Sequence, residues 1–305
     1  HVNPWLLLFE MPDVFRLNEM RCTTRSRSMT TNQSDSLKLR VGHMTYLNSE
    51  VFYRKLPSDS CELVALPPRA MAAAVESGEL EAGPLPIAEV LRMGEKVQSL
   101  GDMGVACDGA ALSVFLFSNS PVEELSGSNI AVTTHTATSI QLLRVLFADL
   151  WKVSNHRFVE MSNAHDAALV IGDPALEKLM LSEYPYYYDL GSAWKTLTEL
   201  PFVFAEWVVR TDTPEDARDN FEQILTDSTR IGMNSVDEIV RIRANETMSE
   251  SDVEKYVRNF TYFLGPDERA GQQEFKTRLS KLPEWRPRVS TPVESSAQKA
   301  ISTSI

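Results

Sequence analysis

Four short turns carry the side chains best placed to do chemistry in this chain of 305 residues. The turn YLNS (46–49) offers the Tyr46 hydroxyl and the Asn48 amide, a neutral donor and acceptor able to orient a polar substrate. An Asn in such a turn equally caps the next helix or tolerates left-handed backbone, and both readings stand. CDGAALS (107–113) sets an Asp108-Gly109 turn ahead of a lone hydroxyl, Ser113, at the entry of a strand. A structural Ser in a tight turn is the usual explanation there. TTHTATS (133–139) is the most telling of the four. Thr134, Thr136, Thr138 and Ser139, with the small Ala137 among them, crowd the entry of a helix, where free backbone N–H groups and the helix dipole attract an anion. No acid, Lys or Arg stands between Thr133 and Ser139, so a carboxylate would be held there by N–H and O–H donation alone. An ordinary N-cap by Thr136 or Thr138 is the competing account. IGD (171–173) brings Gly172 and Asp173 to the end of a strand, either at a cleft or as a routine helix entry before Pro174.

Other chemistries fail on spacing. His43, His135, His156 and His165 form no HxH, HxxxH or HExxH arrangement, so no metal site is expected. His43 ends a strand, where it could face a cleft, but reads better as a satisfied structural histidine. There is no Walker A motif, no GxGxxG and no GxSxG. No metal or organic cofactor is therefore expected. Cys22, Cys61 and Cys107 are isolated, without CxxC spacing, and an odd count cannot close a disulfide framework. That usage fits a reducing, cytoplasmic setting.

The elements that must hold these turns follow from periodicity. KLRVGHM (38–44) reads as a first strand, ELVALPP (62–68) as a second, and a helix follows from Arg69 to Ser77. LEAGPLP (80–86) is a buried strand, and IAEVLRMG (87–94) a short helix closed by Gly94. ALSVFLFS (111–118) is a strong strand. A second set then begins with IAVT (130–133), a helix over 140–151, the buried strand AALVIGD (167–173) and a helix from Pro174. PFVFAEWVV (201–209) is the last strongly apolar strand. Such alternation is the signature of β-α units on a mostly parallel sheet. Two sets joined through ALSVFLFS and PFVFAEWVV predict two lobes with two crossings. The cleft between them, at the carboxyl ends of strands, is the natural ligand site.

Beyond Arg210 the chain turns helical. Thr213-Pro214-Glu215-Asp216 reads as a helix start with Thr213 as N-cap. Ser249 and Ser251, with Asp252 and Glu254 three residues on, open another helix, and Gly265-Pro266-Asp267-Glu268 the last. The whole chain holds 30 Lys plus Arg against 42 Asp plus Glu, a net charge of −12. That balance argues against a nucleic-acid binder, which needs a clustered basic face. Residues 211–255 alone hold 12 acids against 5 basic residues, placing the excess on solvated helix faces. No stretch reaches the roughly 18 apolar residues needed to cross a bilayer, so no membrane partner is expected. Residues 1–37, with 4 acids and 4 basic residues and no sustained period, read as a poorly ordered extension, and 289–305 as a frayed tail. Docking of the run WLLLF (5–9) on a domain surface is the competing view of that extension.

These turns, in this order, resemble the chorismate dehydratase family. The segments that carry the resemblance are VGHMTYLNS, GELEAGPLPIAEVLR, CDGAALSVFLFS, TTHTATSIQLLR, AALVIGDPAL and YDLGSAWKTLTELPFVFAEWVVR. They run from Leu39 to Arg210, and the sharpest is DLGxxWKxxTxLPFVFAxW (189–207). The resemblance implies an α/β fold like the type II periplasmic binding proteins, with a double crossover between two lobes and a central cleft. It assigns 38–115 and 208–288 to one lobe and 119–204 to the other. It implies the first step of the futalosine route to menaquinone, loss of water from chorismate to give 3-[(1-carboxyvinyl)oxy]benzoate, with chorismate as the small-molecule partner. The residues tied to catalysis in that family fall on Asn48 and Ser113, both acting by hydrogen bonding. The substrate's own enolpyruvyl carboxylate would take the proton, since no strong protein base appears in the motifs. Pro86 departs from the family, standing where members often carry a hydroxyl residue. Two other readings stand beside it: a solute-binding protein without catalysis, which would normally carry an export signal or lipoprotein cysteine, and the sister enzyme that makes 1,4-dihydroxy-6-naphthoate, which relies on a different set of turns.

Overall fold

The computed structural model describes residues 38–133, 136–246, 248–283 and 285. The extension expected over 1–37 and the tail over 289–305 lie outside the described residues.

The chain lays down β1 (Arg40–His43), α1 (Glu50–Tyr53), β2 (Glu62–Ala65), α2 (Pro68–Ser77), β3 (Ala82–Pro86), α3 (Ile87–Met93) and β4 (Val97–Cys107). It then crosses to β5 (Val114–Ser118), β6 (Asn129–Val132), α4 (Thr138–Leu146), β7 (Arg157–Glu160), β8 (Ala167–Ile171), α5 (Asp173–Leu181), β9 (Tyr186–Asp189) and α6 (Leu190–Thr198). It returns through β10 (Phe202–Arg210) to α7 (Glu215–Asn234), α8 (Val236–Arg243), α9 (Glu250–Arg258), β11 (Thr261–Phe263) and α10 (Pro266–Leu279). The strands form a six-stranded sheet, β11-β4-β10-β3-β1-β2, and a five-stranded sheet, β7-β6-β8-β5-β9.

Both sheets are mixed rather than mostly parallel. β1 runs parallel to β2 and β3, and β6 parallel to β7 and β8. The strand that enters each sheet after a crossing opposes its neighbours: β5 is antiparallel to β8 and β9, and β10 to β3 and β4. The β-α pattern predicts parallel pairing only within a lobe, and a strand arriving from the other lobe enters from the opposite end.

The crossings themselves fall earlier than the expected limits at 115 and 204–208. β5 joins the five-stranded sheet from Val114, and β10 pairs with β4 from Phe202, opposite Cys107. The chain therefore changes sheet within 108–113 and 199–201. The two apolar runs are sheet strands, as read from the sequence, and the links between the sheets are the tight stretches just ahead of them.

β3 is buried at every position yet contains Pro84 and Pro86. Proline cannot donate to a sheet ladder, and the pairing of β1 with β3 is limited to Val41 opposite Ala82. Beyond that pair β3 keeps its antiparallel partner β10, with Pro84 opposite Trp207 and Pro86 opposite Ala205. The two prolines end up facing the space between the lobes. Behind the six-stranded sheet an aromatic cluster closes the core, with the Phe52 ring 5.5 Å from Trp207 and 5.6 Å from Tyr262. Trp194 of α6, fully buried, donates Nε1–H to the Pro201 carbonyl at 3.0 Å and packs on Phe202 and Phe275.

Helix starts follow the expected chemistry with one correction. Ser249 accepts from Asp252 N–H and closes a capping box, and Glu268 reaches back to Gly265 N–H at 2.9 Å. Thr213 is not the N-cap of α7: Pro214 takes that place, and the Thr213 hydroxyl is buried with no partner among the described residues. Among the described residues no helix is long and apolar enough to cross a membrane.

Candidate active site

A cavity of about 100 Å³ lies between the two sheets. From the six-stranded side it is lined by Tyr46 and Asn48 in the turn after β1, by Pro84 and Pro86, and by Phe204 of β10. The other side contributes Val114, Gly172 and the start of α4, namely Ala137, Thr138 and Ser139. Ser113 comes from the first crossing, and Tyr256 and Phe260 from α9 and the residues just after it. Among the described residues none that lines the cavity carries a charged side chain.

Local chemistry explains how each polar group is presented. YLNS folds as one tight turn, Leu47–Ser49, with Ser49 N–H donating to the Tyr46 carbonyl at 2.9 Å. Ser49 Oγ donates to Asn48 Oδ1 at 3.3 Å, which leaves the Asn48 amide a net N–H donor for a ligand. Burial, and after it the charge of Asp173, pushes the Tyr46 phenol above its ordinary pKa, so it stays a neutral hydroxyl. At α4, Thr138 and Ser139 are buried at the first positions of the helix. Thr138 Oγ1 donates to the Phe204 carbonyl at 3.2 Å and accepts from Ala88 N–H at 3.3 Å. Its hydroxyl is thereby tied to α3 and β10 across the lobe boundary, and the anion-attracting groups that remain are the first backbone N–H groups of α4.

Ser113 is the most closely held of the polar groups. The backbone before it turns through Leu112 with φ 63°, a region that non-glycine residues adopt only when held. Asp189, the first residue of the DLG segment, supplies the hold. Its two carboxylate oxygens accept from Ala111 N–H at 2.9 Å and Leu112 N–H at 2.8 Å, while Oδ1 also caps α6 through Ser192 N–H at 3.0 Å. Gly191 lets α6 press against the same crossing, since a Cβ there would stand 2.4 Å from the Gly109 carbonyl oxygen. From the opposite side Asn259 donates to the Ala110 carbonyl at 2.8 Å, and Tyr256 Oη lies 2.7 Å from Ser113 Oγ.

The other sequence-predicted residues separate into those brought to the cavity and those held away from it. Tyr46, Ala137, Thr138, Ser139 and Gly172 line it with Asn48 and Ser113. Asp108 does not: its side chain is 59% exposed and pairs with Lys195 at 2.6 Å. Gly109, at φ 107°, turns the chain beside Asp108 and uses its carbonyl to accept from Cys107 Sγ at 3.2 Å. Thr136 is buried outside the lining, and among the described residues its hydroxyl has no partner. Asp173 sits at the rim, where Arg243 of α8 reaches it at 3.5 Å while binding Glu50 at 2.6 Å and the Thr45 carbonyl at 3.3 Å. Thr134 lies outside the described residues. His43 stacks edge-on against Tyr53, ring centroids 4.4 Å apart, and does not line the cavity.

Sequence reading missed the contribution of α9. Tyr256 and Phe260 stand 143 and 147 positions from Ser113, and an amphipathic helix with a buried Tyr-Val pair gives no sign that its Tyr faces a ligand. Pro84 was legible only as part of a buried strand, and Pro86 as that and as a departure from the family's hydroxyl residue. Burial also raises the Cys107 thiol far above its usual range, which removes it as a nucleophile. Among the described residues no three His, Cys, Asp or Glu side chains gather as a metal site.

Comparison with known proteins places this geometry. A relative from Thermus thermophilus, named chorismate dehydratase, is 29% identical over 200 residues, covering 59% of this chain and 72% of that protein. Among solved structures, a protein of Archaeoglobus fulgidus superposes with a TM-score of 0.66 at 15% identity, over 81% of this chain and 98% of the other. The periplasmic aliphatic sulphonate binding protein of Escherichia coli superposes at 0.55 and 15% identity, over 88% of this chain and 96% of its own. A Candida albicans protein described as having the generic periplasmic binding protein fold gives 0.54 at 12% identity, over 82% and 92%. The two sheets and double crossover are thus a periplasmic-binding-protein-like fold. The family model for menaquinone biosynthesis matches residues 39–281, and the chain belongs to that family.

Proposed function

We propose that the chain is a chorismate dehydratase, a hydro-lyase that converts chorismate to 3-[(1-carboxyvinyl)oxy]benzoate and water. The observation that carries this reading is a cavity between the lobes that no charged side chain lines among the described residues, with the Asn48 amide and Ser113 hydroxyl facing it and the start of α4 forming one wall. The named relative in Thermus thermophilus and the family membership support it.

The chemistry suits such a site. A proton leaves a ring carbon, its electron pair forms a new ring double bond, and the neighbouring C–O bond breaks with its pair on the departing oxygen. That oxygen takes up a proton and leaves as water, and the ring becomes aromatic. Aromatisation supplies the driving force, so the protein has to orient the substrate, exclude water and stabilise the charge that grows on the departing oxygen. Backbone N–H groups at α4 suit the ring carboxylate. Asn48 and Ser113 donate hydrogen bonds to oxygen substituents. Among the described residues no carboxylate, His or Lys lines the cavity, and in this reading the substrate's second carboxylate serves as the proton acceptor.

The test is product identification by mass spectrometry and NMR after incubation with chorismate. Asn48→Ala and Ser113→Ala are expected to lower kcat by about 100-fold or more each, the scale of losing an oriented charge-stabilising donor. Tight binding of chorismate without product would move the chain to the binding-protein reading, and undiminished turnover by either variant would remove that residue from the mechanism.

A further inference from the structure

We infer that Tyr256 is a positioning residue that orients the Ser113 hydroxyl, so that Ser113 donates its proton into the cavity rather than to the protein. The inference rests on the dehydratase reading above and names a role that reading leaves open.

The geometry comes first. Ser113 and Tyr256 are each 3% exposed, both line the cavity, and their oxygens lie 2.7 Å apart, a normal O–H···O length. One proton lies between the two oxygens, and either atom could supply it. If Ser113 supplied it, the Ser113 oxygen would present only lone pairs to the cavity and could not support a leaving hydroxyl. If Tyr256 supplies it, the Ser113 proton is free. Among the described residues its alternative acceptor is the Ala111 carbonyl at 3.5 Å, well beyond a good O–H···O bond. A ligand oxygen in the cavity is then the better acceptor.

Acidity decides the sense. A phenol is the stronger acid of the two hydroxyls and the weaker acceptor, because its oxygen lone pairs are drawn into the ring. It therefore donates and the alcohol accepts. Burial holds the phenol neutral far into the alkaline range, with the Ser113 bond opposing, so the donor proton is present at every working pH. The ring cannot swing away, because the Phe260 ring packs on it with centroids 5.2 Å apart. The helix that carries it is pinned at one end by the Ser249–Asp252 capping box and at the other by Asn259 on Ala110. The crossing that carries Ser113 and the helix that carries Tyr256 are thus fixed to each other at two points, Asn259 to Ala110 and Tyr256 to Ser113.

The consequence for catalysis is differential. As the substrate's C–O bond lengthens, negative charge grows on the departing oxygen, and a donor aimed there gains strength in the transition state more than in the bound ground state. Tyr256 touches Ser113 and acts through it.

Tyr256→Phe keeps every ring carbon and removes the single oxygen, so its thermal midpoint is measured alongside its kinetics as a check on packing. The expected result is a fall in kcat of about 10- to 100-fold with KM within about 3-fold of the wild type, the mark of an interaction made mainly in the transition state. Ser113→Ala and the double variant Ser113→Ala/Tyr256→Phe complete a cycle. Because Tyr256 works through Ser113, the double variant should be no slower than Ser113→Ala alone, within about 3-fold. A structural role for Tyr256 would instead multiply the two losses, and that result overturns the proposal, as does a Tyr256→Phe enzyme with wild-type kcat. A wild-type protein that makes no product from chorismate overturns the dehydratase reading itself and takes this inference with it. Product from the wild type with an unaffected Phe variant overturns this inference alone.

Discussion

At the scale of single residues, Asp189 has three backbone donors on two oxygens: Ala111 N–H, Leu112 N–H and Ser192 N–H. An amide in its place keeps one acceptor oxygen and turns the other position into a donor that faces donors. Asp189→Asn is therefore expected to release the Leu112 turn and misplace Ser113, lowering kcat by about 10- to 100-fold. A steady-state assay with circular dichroism as a folding control checks it. The DLG segment was legible in the sequence as a sharp motif, but its purpose was not. Asp189 stands 78 positions from Ala111, and only the packed crossing brings them together. Glu81 answers to pH instead. Partial burial pushes its pKa up, but the hydrogen bonds from the Arg40 side chain and backbone outweigh this and hold it below the ordinary 4.5. A carboxyl depressed in the folded state contributes stability above its unfolded pKa and loses it as pH falls through the folded value. Glu81→Gln should therefore lower Tm at pH 7, and the gap between variant and wild type should close as pH drops below about 4, read by thermal melts across that range.

Close approach of elements governs the next scale. An exposed helical Gly→Ala change ordinarily gains about 0.5–1 kcal/mol. At Gly191 the sign should reverse, because the new methyl would enter the Gly109 carbonyl oxygen at 2.4 Å and the Ala111 nitrogen at 2.9 Å. Gly191→Ala is expected to lower Tm by several degrees, about 1–3 kcal/mol of overpacking, and an unchanged Tm would show that α6 can slide away from the crossing. Buried strands such as β3, β5 and β8 were plain in the sequence because every position is apolar or small. β4 was not seen, although at 11 residues it is the longest strand described. Gly101, Asp102 and Gly104 interrupt its apolar pattern, and its register slips where it meets β10. β7 and β9 escaped for a different reason. They are the outer strands of the five-stranded sheet, half-exposed and polar, so no buried run marks them.

At the scale of the molecule, the cavity of about 100 Å³ is smaller than the roughly 300 Å³ at which ligand pockets begin. A ring bearing two carboxylates needs more room than this, and the Arg243–Asp173 pair links the two lobes beside the cavity. The two lobes and two crossings were legible because each lobe repeats its own β-α pattern. The positions of the crossings were not, because a strand entering from the far lobe is as apolar as one native to the sheet. The charge distribution has a consequence of its own. The chain's net charge is −12 and among the described residues no cation lines the cavity, while the proposed substrate is a dianion. Most enzymes of anionic substrates lure them with a basic funnel, and added salt slows their encounter. Here the long-range field opposes the encounter, and dissolved ions mask that field within about 10 Å at 0.1 M. Stopped-flow capture of chorismate should therefore quicken as ionic strength rises from 0.01 to about 0.1 M, and a rate that falls instead would place an unseen positive path to the cavity. A rate that rises would rank the protein among those whose substrate arrives by diffusion against the gradient, with residence inside, rather than attraction from afar, setting the selectivity.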